Sequence, residues 1–167
     1  MEKTSSKIFS CRLIEAIFLM FFSSLSYAAS VDTVINIESD SFEFYPREEK
    51  VEYKGSVKTK YQGITLQSER LEATLKDTVI SALIAYGDPA LIKRERRARI
   101  PELIGTAATI RIINESDIVE LSDQATLVYG KSKISSSFIR FNIKTGRIKA
   151  GKEGSRVSMT LNQSELE

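Results

Sequence analysis

Glu38 and Asp40 are the one pairing in this chain that could work as a general acid and base. Two residues apart on a strand, they would share a face. Nothing else joins them in a catalytic constellation, and a solvent-facing strand edge accounts for both. Histidine is absent from all 167 residues, which removes Ser–His and Cys–His catalysis and histidine-ligated zinc. Cys11 is the only cysteine, so no disulfide can form within the chain. There is no G-x-x-x-x-G-K-[ST] loop to hold a nucleotide. The densest cationic stretch is Lys93-Arg94-Glu95-Arg96-Arg97-Ala98-Arg99, which could meet phosphate groups of a glycolipid head or a membrane surface. Runs of this kind are more often solvated loops. No aromatic residue interleaves it, and 24 Lys+Arg against 22 Asp+Glu give no net basic field, so a nucleic-acid partner is not expected. These residues point to a binding protein with no enzyme activity, metal or cofactor.

The elements that position these residues read as strands. In Val51–Leu75, Val51, Tyr53, Val57, Thr59 and Tyr61 alternate with polar neighbours. Gly63 marks the change of strand, and Ile64, Leu66, Leu71, Ala73 and Leu75 resume the pattern with a phase shift near Gln67–Arg70. This is a hairpin with one apolar and one wet face. Further alternating segments follow. Val79–Tyr86 is expected to close at the turn Gly87-Asp88-Pro89, and Ile118–Val128 reads as a pair of strands. Helical spacing is hard to find beyond residue 30, and short strands separated by Gly, Asn and Asp argue an all-β sandwich or roll. A weak repeat relates Lys54-Gly55-Ser56-Val57, with Ile64, Arg70 and Leu71, to Ser122-Asp123-Gln124-Ala125, with Ile134, Arg140 and Phe141. Apolar content of 42% suits one folded domain.

Residues 1–28 read as a signal peptide. Lys3, Lys7 and Arg12 precede the mostly apolar Leu13–Leu25, and Ser26 and Ala28 suit cleavage before Ala29. The run from Ala16 to Phe22 is short for a membrane span. Residues 29–167 then form the domain, exported without cysteine, which leans toward a bacterial periplasm.

Four segments in order, Ile35-Asn36-Ile37-Glu38-Ser39-Asp40, Tyr53-Lys54-Gly55-Ser56-Val57, Ile84-Ala85-Tyr86-Gly87-Asp88-Pro89-Ala90 and Arg156-Val157-Ser158-Met159-Thr160-Leu161 with Gln163-Ser164-Glu165-Leu166, carry a family resemblance. With the export signal, the chain resembles the OstA-like β-jellyroll family of periplasmic lipopolysaccharide-transport proteins, the LptA group. Asp123, where a glycine would be expected, and the rich basic run depart from that pattern. The resemblance implies an open, twisted β-jellyroll of repeated antiparallel hairpins. It also implies that the inward stripe is a groove for lipopolysaccharide acyl chains. The stripe comprises Ile35, Ile37, Phe44, Val51, Tyr53, Val57, Ile64, Leu66, Leu71, Ile92, Ile110, Ile112, Leu121, Leu127 and Phe141, softened at the rim by Thr59 and Ser68. Taken without the resemblance, that stripe would be a closed core. The implied partners are the inner-membrane complex, through its component C, and the amino-terminal domain of outer-membrane component D. Edge strands are the natural joints, and a head-to-tail homo-oligomer uses the same logic. The first and last alternating segments, Val31–Ile37 and Arg156–Leu161, supply the expected edge residues Val34, Ile35, Val157, Met159 and Leu161. Two alternatives stay open: the anchored component C of the same fold, and a closed-core structural or adhesive sandwich.

Overall fold

The structure, a computed structural model, describes residues 35–161 apart from Gln62, Thr78 and Arg99. Residues 1–34 and 162–167, with the expected signal peptide and the edge residue Val34, lie outside the described residues.

Among the described residues ten strands form one antiparallel sheet: β1 (Asn36–Glu38), β2 (Ser41–Tyr45), β3 (Lys50–Tyr61), β4 (Ile64–Lys76), β5 (Val79–Arg94), β6 (Leu103–Ile113), β7 (Ile118–Tyr129), β8 (Ser132–Asn142), β9 (Ile148–Ala150) and β10 (Val157–Thr160). From β3 to β8 the chain is a meander in which each strand pairs with the next. Both outer positions are split: β1 and β2 each pair with part of β3, and β9 and β10 each pair with part of β8. The end strands do not pair with each other, so the sheet is open.

Every pairing from β3/β4 to β7/β8 slips near its middle, at Lys54/Val57, Gln67/Arg70, Tyr86/Ala90, Thr106/Thr109 and Ser122/Ala125; β4/β5 slips a second time, at Thr74/Leu75. The five middle irregularities line up across the sheet and form a crease, because a bulge bends and twists its strand. Backbone at the crease adopts positive φ at Gly55 and Ser56 on β3 and at Asp123 and Gln124 on β7. The two copies of the sequence repeat thus make the same bend. Gly55 has a second reason to be glycine: a Cβ there would collide with the Asp40 carboxylate. Asp123 manages the left-handed conformation without glycine, as short polar side chains can.

Two turn assignments change. Gly87-Asp88-Pro89, with its cis Asp88–Pro89 peptide, lies inside β5 as that strand's share of the crease. Ile118–Tyr129 is one bulged strand, not two. Turn-forming residues serve a bend as well as a reversal, and the apolar alternation on either side does not distinguish the two.

The crease folds the sheet onto its own apolar face. Tyr129 pairs with Ser132 at the start of β8, and Phe141 lies nine residues further along. In a flat sheet they would be about 30 Å apart. Their ring centroids are 5.7 Å apart. One row across the sheet, Tyr53–Leu71–Ala85–Ile110–Leu121–Ile139–Ala150, shows the inner face: its five central members are fully buried. Nearer the crease Ala90, Ala107 and Ala125 are buried too, small enough to let the two halves approach. Each buried Leu, Ile or Phe stabilises the fold by about 1.5–3 kcal/mol.

Candidate apolar groove and its edges

The bends bring the sequence-predicted inward residues to one face. Ile37, Thr59, Leu66, Ile92, Gly105, Leu127, Ile134 and Met159 make a row in one half. Phe44, Val51, Ala73, Leu83, Ile112, Val119, Phe141 and Ile148 make a row in the other. Val57, Ile64, Leu66, Leu71, Ile92, Ile110, Ile112, Leu121, Leu127 and Phe141 are each 7% exposed or less, sealed by their own packing. Ile37, Val51 and Tyr53 are partly buried against that cluster, and burial raises the Tyr53 phenol pKa. Ile35 is half-buried just before β1. Phe44 is 51% exposed. The apolar face is therefore closed in the middle and uncovered toward its ends.

At the first edge, Phe42 continues the Tyr53 row and is more exposed than Phe44; the two rings of Phe42 and Tyr53 lie 6.3 Å apart. Phe42 belongs with the candidate residues, and its spacing from Phe44 was the signal for it. At the opposite edge Val157, Met159 and Leu161 are 48%, 52% and 62% exposed. The described parts of both terminal segments thus lie at sheet edges, as expected from their order.

Thr59 and Ser68 do not form a wet rim. Thr59 is 1% exposed, and both hydroxyl oxygens are buried without a hydrogen-bond partner among the described residues.

The basic run divides. Lys93 pairs with Glu102 at 3.5 Å, and Arg96 is exposed. The Arg97 guanidinium lies over Gly63, where a Cβ would meet it at 2.5 Å. Arg94 occupies an inward position on β5: it is 9% exposed, with its guanidinium carbon 5.7 Å from the Phe141 ring centroid. Charge density concealed this, since alternation with Ala90 and Ile92 was the only signal that Arg94 turns inward.

The outer face holds a polar network that sequence reasoning missed. Glu43, Glu52 and Glu72 face one another across β2, β3 and β4, an arrangement that repels unless neutralised. Lys54 and Arg70 each reach Glu52 at 3.2 Å, Arg70 also reaches Glu72 at 3.2 Å, and the Arg70 guanidinium lies 4.1 Å from the Tyr86 ring centroid. Lys54 first, then Arg70, hold the Glu52 carboxyl below the usual range against the opposing effect of desolvation. The Tyr45 phenol donates to Glu52 at 3.4 Å; its hydrogen bond to Glu43, with partial desolvation and the adjacent carboxylate charges, pushes its pKa up to about 12. Glu52 reads as wet-face in sequence, but the side chains it binds cover it to 8% exposure. Glu38 and Asp40 are both exposed near the crease, where the Asp40 amide donates to the carbonyls of Lys54 and Gly55. No cluster of acidic, histidine or cysteine side chains suited to a metal is found among the described residues.

Residues 36–147 match the family described as LptA/(LptD N-terminal domain) LPS transport protein. Among solved structures the chain is similar to LptH, the LptA-homologous periplasmic component of the lipopolysaccharide transport device of Pseudomonas aeruginosa. The identity is 17% and the TM-score 0.71, over 77% of this chain and 95% of that one. No match is found among curated protein sequences.

Proposed function

The chain belongs to the family of LptA and LptD amino-terminal-domain lipopolysaccharide-transport proteins, and from that premise we infer that it binds lipopolysaccharide by its acyl chains and hands it on across the periplasm. The observation that carries this reading is the single apolar face that is sealed at its centre yet left uncovered at both edges. Acyl chains need apolar surface without polar atoms to satisfy, and they complete its burial. Ile35, Ile37, Phe44 and Tyr53, with Phe42, are the residues a chain meets first. The sealed positions from Val57 to Phe141 become accessible as the two halves part along the crease.

The same reading gives the edges to partners. Unpaired backbone groups along β1 and β2 would receive the inner-membrane component C, and those along β10 the amino-terminal domain of component D or another copy. Residues 1–28 would be removed on export, leaving Ala29 first; the mass of protein from a periplasmic extract tests this, and a mass retaining residues 1–28 favours an anchored protein.

Titration of purified protein with fluorescent lipopolysaccharide tests the function. Phe44→Glu places a carboxylate at the uncovered apolar end and should abolish binding while the fold, followed by circular dichroism, survives. Absence of binding by the unaltered protein would refute the reading.

A further inference from the structure

Arg94 is a cation inside an apolar interior. It is nine-tenths buried on the inner face of β5, between Ile64 on one neighbouring strand and Leu103 on the other. One terminal nitrogen donates to the Ile143 carbonyl at a long 3.4 Å, and Nε is buried without a partner among the described residues. No carboxylate pairs with it among the described residues, although Lys50, Lys54, Arg70, Lys76, Lys93, Arg140 and Lys144 each have one. A buried charge is costly unless it is paired and hydrogen-bonded. Its place explains what could pair with it. Arg94 ends its strand on one half of the folded sheet, yet touches Phe141 and Ile143 near the end of β8 in the other half. It therefore sits at the lip, opposite the crease, where the two halves meet.

We propose that Arg94 is the receptor for a phosphate group on the head of the bound lipid, a reading that rests on the function inferred above. Guanidinium forks match phosphate oxygens two at a time, which an ammonium cannot do. A lipid whose chains run into the apolar interior must leave its head at the lip. A phosphate there satisfies Nε and replaces the weak carbonyl contact. Arg94 thereby fixes which way round the ligand lies. Arg96, in the same basic run, is exposed to solvent and screened by salt, so it has no such part.

The test compares Arg94→Met, which keeps the apolar stem, Arg94→Lys and the unaltered protein. Three probes are titrated: lipid A carrying its phosphates, the same lipid dephosphorylated, and inorganic phosphate. Salt of about 1 M shortens screening to about 3 Å and silences surface cations. The unaltered protein should prefer the phosphorylated lipid about tenfold or more. Arg94→Met should lose that preference by weakening the phosphorylated lipid alone, and Arg94→Lys should keep part of it. Equal weakening of both lipids would make Arg94 a packing residue and overturn the proposal. So would an unaltered protein that does not distinguish them, and this comparison decides the matter should Arg94→Met fail to fold. Arg94-dependent binding of inorganic phosphate alone would assign the site to free anions instead of a lipid head. Failure of the unaltered protein to bind either lipid is a separate result, which removes the proposed function itself.

Discussion

The central strands β4 to β7 and the edge strands β1, β2 and β10 carry the same alternation, yet they end in different environments. Leu71 and Leu121 are fully buried, whereas Phe42 and Met159, on rows continuous with that interior, are 71% and 52% exposed. Local pattern makes the face apolar; what covers it depends on position across the sheet. A central position is covered by the opposite half of the folded sheet, and an edge position such as Phe42 or Met159 stays exposed among the described residues. An exposed apolar edge is a liability in a lone protein and an asset in one that passes a lipid to a neighbour.

The comparison breaks most visibly at Ile112. Ile112→Glu buries a charge among residues 3% exposed or less and should cost more than about 4 kcal/mol, removing cooperative unfolding in urea. Ile37→Glu at the half-buried edge should leave a folded protein that no longer binds lipopolysaccharide. If Ile112→Glu unfolds at the unaltered urea midpoint, the centre is not sealed. At the crease, Gly55→Ala must hold a positive φ and displace the Asp40 carboxylate, a loss of about 1–2 kcal/mol from the backbone alone. Asp123→Gly should change stability far less, since Asp123 already tolerates its conformation; equal losses at the two bulges would show that the crease does not depend on side-chain contact. Met159→Lys guards an exposed edge with charge and should alter stability by no more than about 0.5 kcal/mol. If copies join through β10 as proposed, sedimentation should nevertheless show that self-association abolished, and unchanged association would move the joint elsewhere.

The smallest effect concerns the outer face. The Glu52 pKa is depressed in the folded protein, so its contribution to stability is present above the ordinary carboxylate range and fades as pH falls through the lowered value. Glu52→Gln should flatten that part of the acid limb and leave neutral-pH lipid binding intact. An acid limb identical to the unaltered protein's would mean that Lys54 and Arg70 hold Glu52 no differently from water.

Much of this fold was legible because alternation with period two is strong in β3, β4 and β6, and Gly63 marks a real reversal. The phase shift near Gln67–Arg70 was legible as well and proved to be one bulge of the crease. Legibility failed where one residue type serves two geometries. Gly87-Asp88-Pro89 spells a turn and makes a bend, and the bends fold the sheet on itself only because five of them align, which no single segment reveals. The apolar face could be read, but not which of its members stay uncovered, because burial depends on strand order across the sheet. Glu52 and Arg94 were hidden for a related reason. Their chemistry advertises solvent, and only neighbours distant in sequence, Arg70 at Glu52 and Phe141 and Ile143 at Arg94, show that they are enclosed.

Site-specific photo-crosslinking in living cells tests the central claim most directly. A photoreactive residue at Ile37 or Phe44, on the uncovered part of the inner face, should yield adducts containing lipopolysaccharide. The same residue at Lys58 or Glu120, on the outer face of β3 or β7, should yield none. Adducts from the outer positions alone, or from none of the four in cells that export the protein, would contradict an apolar face that carries lipid.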